Sequence, residues 1–243
     1  MSKRKKGQFP LSADKLDMRA KALSSKLSDC FEGSPRPSAF GFNKIPRGES
    51  IELTMGGTST EWTNRNIGGG HRVLSLCTLT QDQFAWLGYR ELWVASGRSY
   101  DFSEAAITIH IGKKDIIDKD QLMRLEWVAP NASSFQSDVG HPHWQIDVLD
   151  TLKNRAPEEA IKFEPDKPKT PVPFSVDTEP NQELNYLENL KLHRMHLASA
   201  AAWWRSDPET VSFAPQRESE IDMWLRQSIS YVRKELRRCS SKR

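Results

Sequence analysis

Three stretches of the 243-residue chain alternate polar and apolar residues, and their polar positions collect titratable side chains. Successive strand residues point to opposite faces of a sheet. In residues 141–149, His141, His143, Gln145 and Asp147 share one face, and Pro142, Trp144, Ile146 and Val148 the other. In residues 122–128, Arg124 and Glu126 oppose Met123, Leu125 and Trp127, and in residues 106–111, Thr108 and His110 oppose three isoleucines. Strands consecutive in sequence usually neighbour one another. The expected result is a hydrophobic floor on one side and a His/Asp/Glu/Arg cluster on the other.

Two chemistries suit that cluster. Without a metal, a histidine acts as general acid or base, oriented by Asp147 or Glu126, while Arg124 clamps a carboxylate or phosphate. With a metal, His141 and His143 at i and i+2 reach one ion and Asp147 completes an open three-ligand site. The metal reading is the less favoured one, and no cofactor is assigned. An ordinary solvated sheet face accounts for the same residues, because outward strand positions are polar and cross-strand Arg–Glu and His–Asp pairs are common.

Other candidates carry less. His193 and His196 are three apart on an expected helix, but Leu190 stands where a di-iron pattern needs Glu. Trp203-Trp204 beside three alanines reads as a close helix contact. His71, after a triple glycine, stands by itself in the sequence, and that glycine run has no Gly-Lys-Ser/Thr to make it a phosphate loop.

The elements that must position these residues are legible in part. Leu16, Ala20, Leu23, Leu27 and Phe31 form a helical stripe, with Ser12 or Asp14 as cap. Residues 51–55 and 72–79 read as strands. Thr80-Gln81-Asp82-Gln83 has the form of a capping box and predicts a short helix through Phe84, Trp86 and Leu87, with a short strand at 91–95. Six prolines in residues 156–180 exclude helix and central strand there. Helices are expected at about 181–205 and 218–238, the last with a stripe of Ile221, Trp224, Leu225, Ser228, Val232 and Leu236.

Charge is unevenly placed. The net charge is +3. Lys3, Arg4, Lys5 and Lys6 open the chain, Arg233, Lys234, Arg237 and Arg238 lie near its other end, and residues 7–225 are net acidic. Such basic ends suit nucleic acid or an acidic protein partner, or serve as a solvated tail and a helix end matched to its dipole. Three widely spaced cysteines are not a disulfide framework, no stretch approaches the ~20 apolar residues of a membrane span, and the charged N-terminus is not a secretory signal. The expected compartment is cytoplasmic.

The fold expected is α+β: an antiparallel sheet of about five to seven strands packed by N-terminal and C-terminal helices. Residues 1–11 form a basic N-terminus, 12–155 the helix-plus-sheet core, 156–180 a strap, 181–238 the C-terminal helices and 239–243 a basic tail. The first functional expectation is an accessory or binding subunit of a complex, contacting nucleic acid or an acidic protein through its basic ends, with no membrane association. The alternative is a hydrolase of nuclease or phosphodiesterase type, with His143, His141, Asp147, Glu126, Arg124 and His110 as its catalytic set. Whether the chain is an enzyme stays open at this point.

Overall fold

A computed structural model describes residues 9–33, 35–36, 38–64, 70–130, 132–135, 141–147 and 214–240. Within them the chain is α+β, with nine strands in one antiparallel sheet and two long helices stacked on one of its faces. The strands are β1 Pro10–Leu11, β2 Gly41–Arg47, β3 Ser50–Gly56, β4 Thr60–Thr63, β5 His71–Thr78, β6 Phe84–Ser96, β7 Ser99–Gly112, β8 Asp120–Val128 and β9 His143–Ile146. The helices are α1 Ala13–Leu27 and α2 Glu218–Ser240. The strand count exceeds the five to seven expected.

Both helices follow from their apolar stripes. The Ser12 hydroxyl accepts the Lys15 N–H at 3.4 Å and caps α1, and Leu16, Leu23 and Leu27 are buried. The expected α2 stripe is buried in full, with Ile229 and Cys239 added, and the helix extends to Ser240. These stripes cover the apolar sheet face, where Leu53, Tyr89, Trp93, Ile107, Leu125 and Trp127 are almost wholly enclosed. Trp127 meets Trp224 of α2 edge to face at 5.6 Å between ring centroids.

The long hairpin of β6 and β7 is the backbone of the sheet. Ser96 pairs with Ser99 around a two-residue turn whose Gly97 has φ 65°, a conformation glycine reaches without strain. The helix expected after Thr80 does not form. The Gln83 N–H does donate to the Thr80 hydroxyl at 3.2 Å, but this bond closes a turn, and Phe84 then enters β6. A single local bond is outweighed by ladders on both sides of a strand rich in aromatics. The separate strand expected at 91–95 is the second half of β6.

The three alternating segments do pair in sequence, β7 with β8 and β8 with β9. The last of them is shorter than expected, His143–Ile146 rather than 141–149. Residues 148–150, the proline-rich segment, the helix at 181–205 with His193, His196 and the paired tryptophans, and the basic residues 3–6 lie outside the described residues.

Near its middle, β6 parts company with its neighbours. The same edge pairs with β5 through Phe84 to Leu87 and with β3 through Arg90 to Val94. Gly88 and Tyr89 fall between the two ladders. The sheet therefore forks at this point, with β3–β2 on one branch and β5–β4 on the other.

Candidate functional site

Strand register sets the site. On the face turned away from the helices, one cross-strand row runs Thr54, Arg90, Ala106, Glu126, His143. The next row on the same face runs Gly88, Thr108, Arg124, Gln145. Ala106 lies between Arg90 and Glu126 in the first row and leaves a hollow between them, while Gly88, at the end of the second row, is covered by the His71 ring and the Thr108 hydroxyl. The result is a polar cleft of about 150 Å³ at the fork, with Arg124 and Glu126 on one side and His71, Thr54 and Arg90 on the other.

Ion pairs aim the charged groups. Arg124 donates to Glu126 at 3.1 Å and to the Gln145 amide oxygen at 2.6 Å, and its Nε lies 3.7 Å from Asp147. Arg90 pairs with Glu104 at 3.0 Å and Arg47 with Glu52 at 3.0 Å. The Arg124 side chain is 22% exposed, whereas those of Arg90 and Arg47 are 47% and 61% exposed. Arg124 thus forms the base of the cleft and the other two its rim. Glu126 has a second neighbour, His143, whose Nε2 is 3.8 Å from its other oxygen.

His71 was not singled out by its sequence context, yet it belongs to the cleft. Its Nε2 lies 3.0 Å from the Thr108 hydroxyl oxygen and its ring centroid 5.0 Å from that of His110. A side chain on Gly88 would collide with both the His71 ring and the Thr108 hydroxyl. A glycine inside a strand marks such close approach, so Gly88 was the available signal. Arg47 and Arg90 gave none, because their place depends on register.

The six residues expected to act together are divided. Arg124, Glu126 and His143 adjoin one another as expected. Asp147 is buried, accepts the Gln121 amide at 2.7 Å and lies 3.7 Å from the Arg124 Nε. His141 is buried, and its Nδ1 lies 3.4 Å from the Val128 N–H and 3.2 Å from His143 Nδ1. Burial, reinforced by the neighbouring His143, lowers its pKa from the ordinary histidine value.

His110 does not join them. It pairs with Gln121, whereas His143 lies in the row of Ala106, four residues back along β7 and so about 13 Å away in strand rise alone. At that end the polar face is roofed over. Lys119 stacks 4.5 Å above Trp86, reaches Glu61 of β4 at 2.7 Å, and offers its carbonyl to His110 Nδ1 at 3.2 Å and the Thr63 hydroxyl at 3.3 Å. His110 is a packing residue under that roof.

The three metal-ligand candidates are likewise not assembled. His141 and His143 adjoin, but the Asp147 carboxylate turns toward Gln121 and Arg124. Among the described residues no group of three or more His, Cys, Asp or Glu is arranged to hold a metal ion.

The cations of α2 are mostly occupied. Arg237 bonds Glu32 at 2.6 Å, Arg238 bonds Glu235 at 2.6 Å, and Arg233 reaches the Asp29 carbonyl at 3.4 Å, while Lys234 is exposed. With Arg226, which pairs with Asp29 at 2.7 Å, they fasten α2 to the turn that follows α1.

A second polar cluster lies inside the core. Arg19 of α1 forms a two-point pair with Glu91 of β6, at 2.7 and 2.5 Å, and both side chains are fully enclosed. Glu91 also accepts from Tyr89 at 2.5 Å and Trp93 at 2.9 Å. Arg19 further reaches Glu218 and Asp222 of α2 at 3.0 and 2.7 Å. Burial opposes the charge on Arg19, but Glu91 overrides it and holds the guanidinium pKa well above its ordinary value; burial and Glu91 together push the Tyr89 phenol well up. No short motif announces this cluster, since Arg19 lies 72 to 203 residues from the carboxylates it pairs with.

Comparison with family models, curated proteins and solved structures finds no match to this chain. The functional reading therefore rests on the geometry above.

Proposed function

We propose that the protein is a binding subunit that docks an acidic segment of a protein partner on the polar face of its sheet, with its basic ends adding long-range attraction. The carrying observation is the cleft itself: Arg47, Arg90 and Arg124, each held by a carboxylate, around a hollow lined by Ala106 and Thr108. Pre-oriented guanidiniums are the groups that recognise carboxylates by two-point hydrogen bonding.

Two features favour this over the alternatives. A general base must be within reach of substrate. Here His141 and Asp147 are buried in internal bonds, and His110 lies under a roof. Of the six, His143, Glu126 and Arg124 stay together near the open face, so the expected hydrolytic set is not assembled as a whole. Single-stranded nucleic acid is held by exposed rings interleaved with surplus cations. The two rows that form the cleft hold two arginines, each paired with a carboxylate, and carry no Phe, Tyr or Trp.

The test is fluorescence anisotropy with a labelled oligoglutamate peptide and a labelled single-stranded oligonucleotide, each titrated with salt, alongside turnover of bis(p-nitrophenyl) phosphate. Peptide binding that weakens with salt, without turnover, supports the proposal. Tighter binding of the oligonucleotide overturns the choice of partner. Turnover abolished by a His143→Ala, Asp147→Ala double substitution overturns the binding reading altogether.

A further inference from the structure

We infer that the cleft at the fork of the sheet is a built receptor for a single carboxylate group, with Arg124 as the residue that receives it. This rests on the binding reading above and narrows it to one chemical group.

Size is the first argument. A volume of about 150 Å³ is well below the ~300–1,000 Å³ of pockets that enclose drug-sized ligands or cofactors. The cleft suits a group the size of an acidic side chain or a short free dicarboxylate.

Chemistry is the second. Arg124 is the innermost guanidinium and lies in a row with the Thr108 hydroxyl, which can donate to the same anion. An incoming carboxylate takes the place of Glu126 on Arg124. Glu126 does not then lose its only partner, because His143 stands 3.8 Å from its second oxygen. Arg90 has the corresponding arrangement at the rim, with Glu104 as its resident carboxylate. Each arginine is thus held in place by an anion of the protein's own and can exchange it for another without searching rotamers, which lowers the ordering cost of binding.

Shape is the third. Ala106 lies between Arg90 and Glu126 in one row, and Gly88 beside Thr108 in the next. A larger residue at Ala106 would fill the space that the guanidiniums surround, whereas the space over Gly88 is already taken by the His71 ring and the Thr108 hydroxyl.

The experiment titrates glutarate into the full chain by isothermal calorimetry, then repeats it with Arg124→Gln, Ala106→Leu and, at an exposed position of α1, Lys21→Gln. Near-ultraviolet circular dichroism and the melting transition confirm folding in each. Saturable binding is expected, weakened at least tenfold in Arg124→Gln and in Ala106→Leu and unchanged in Lys21→Gln. Displacement of the labelled oligoglutamate by glutarate identifies a partner's side chain as the source of the carboxylate; glutarate binding without displacement identifies a free small acid. Absence of glutarate binding, or equal binding to all four proteins, overturns the inference. If the peptide still binds in that case and Ala106→Leu weakens it, the single-carboxylate receptor is excluded while docking on the polar face survives; if Ala106→Leu leaves peptide binding unchanged, both fail.

Discussion

His141 is enclosed beside His143, so its charged form is disfavoured in the folded chain and its pKa there lies below that of the unfolded chain. As pH falls, the unfolded state takes up the proton first. Stability contributed by this residue is therefore complete above about pH 6.5 and is lost as pH drops through the folded value. The melting temperature is expected to decline over the acid side of that boundary, and a His141→Asn substitution to flatten the decline. An identical pH profile in the variant would assign the slope to other groups. Arg19 makes the opposite kind of prediction, one of magnitude. Replacing it with Met leaves the Glu91 carboxylate enclosed without its cation, a loss of about 3–5 kcal/mol for a broken buried pair. Urea denaturation of Arg19→Met measures it, and a cost below ~1 kcal/mol would mean water or another donor reaches Glu91. Arg237→Ala removes a half-exposed pair with Glu32 and should cost less than ~1 kcal/mol in the same assay.

The helix α2 and the strand β9 share an aromatic contact, and the two rings differ in burial. Trp224 is fully enclosed against Trp127, whereas Trp144 is half-buried with its ring 6.1 Å from Tyr231. Trp224→Ala should cost about 3–5 kcal/mol as a large core truncation. Trp144→Ala should cost about half as much, since part of its surface already meets water. Equal losses would show that β9 packs more tightly than its exposure implies. These elements were also the legible ones. A stripe such as Ile221, Trp224, Leu225, Ser228 specifies both a helix and its buried side, and the alternation of 122–128 specifies both a strand and its faces. Phe84 to Tyr89 misled because a strand enclosed on both faces carries no alternation, leaving the Thr80 turn as the only local signal. The facing of Arg124, Glu126 and His143 was readable from period two. The cleft was not, because it depends on Arg90 and Ala106 falling in their row and on β3 and β5 sharing one edge of β6. Pairing over such distances leaves no short-range mark.

For the molecule as a whole, the two faces of the sheet differ in what covers them. The helices enclose the first, and among the described residues no helix lies on the second. No helix of the described residues is long and apolar enough to cross a membrane. The bond from Arg19 to Asp222 spans 203 residues and joins α1 to α2, while the same guanidinium holds Glu91 of β6. That reach matters while the chain is being made. The ribosome delivers α1 and the strands long before α2, at roughly 5–20 residues per second. Throughout that interval Trp127, Trp93 and Leu125 lack the helix that covers them, and Arg19 holds Glu91 without the carboxylates of α2. The nascent chain thus carries an open apolar sheet, a natural client for chaperones that shield such surfaces, until its last helix closes over it.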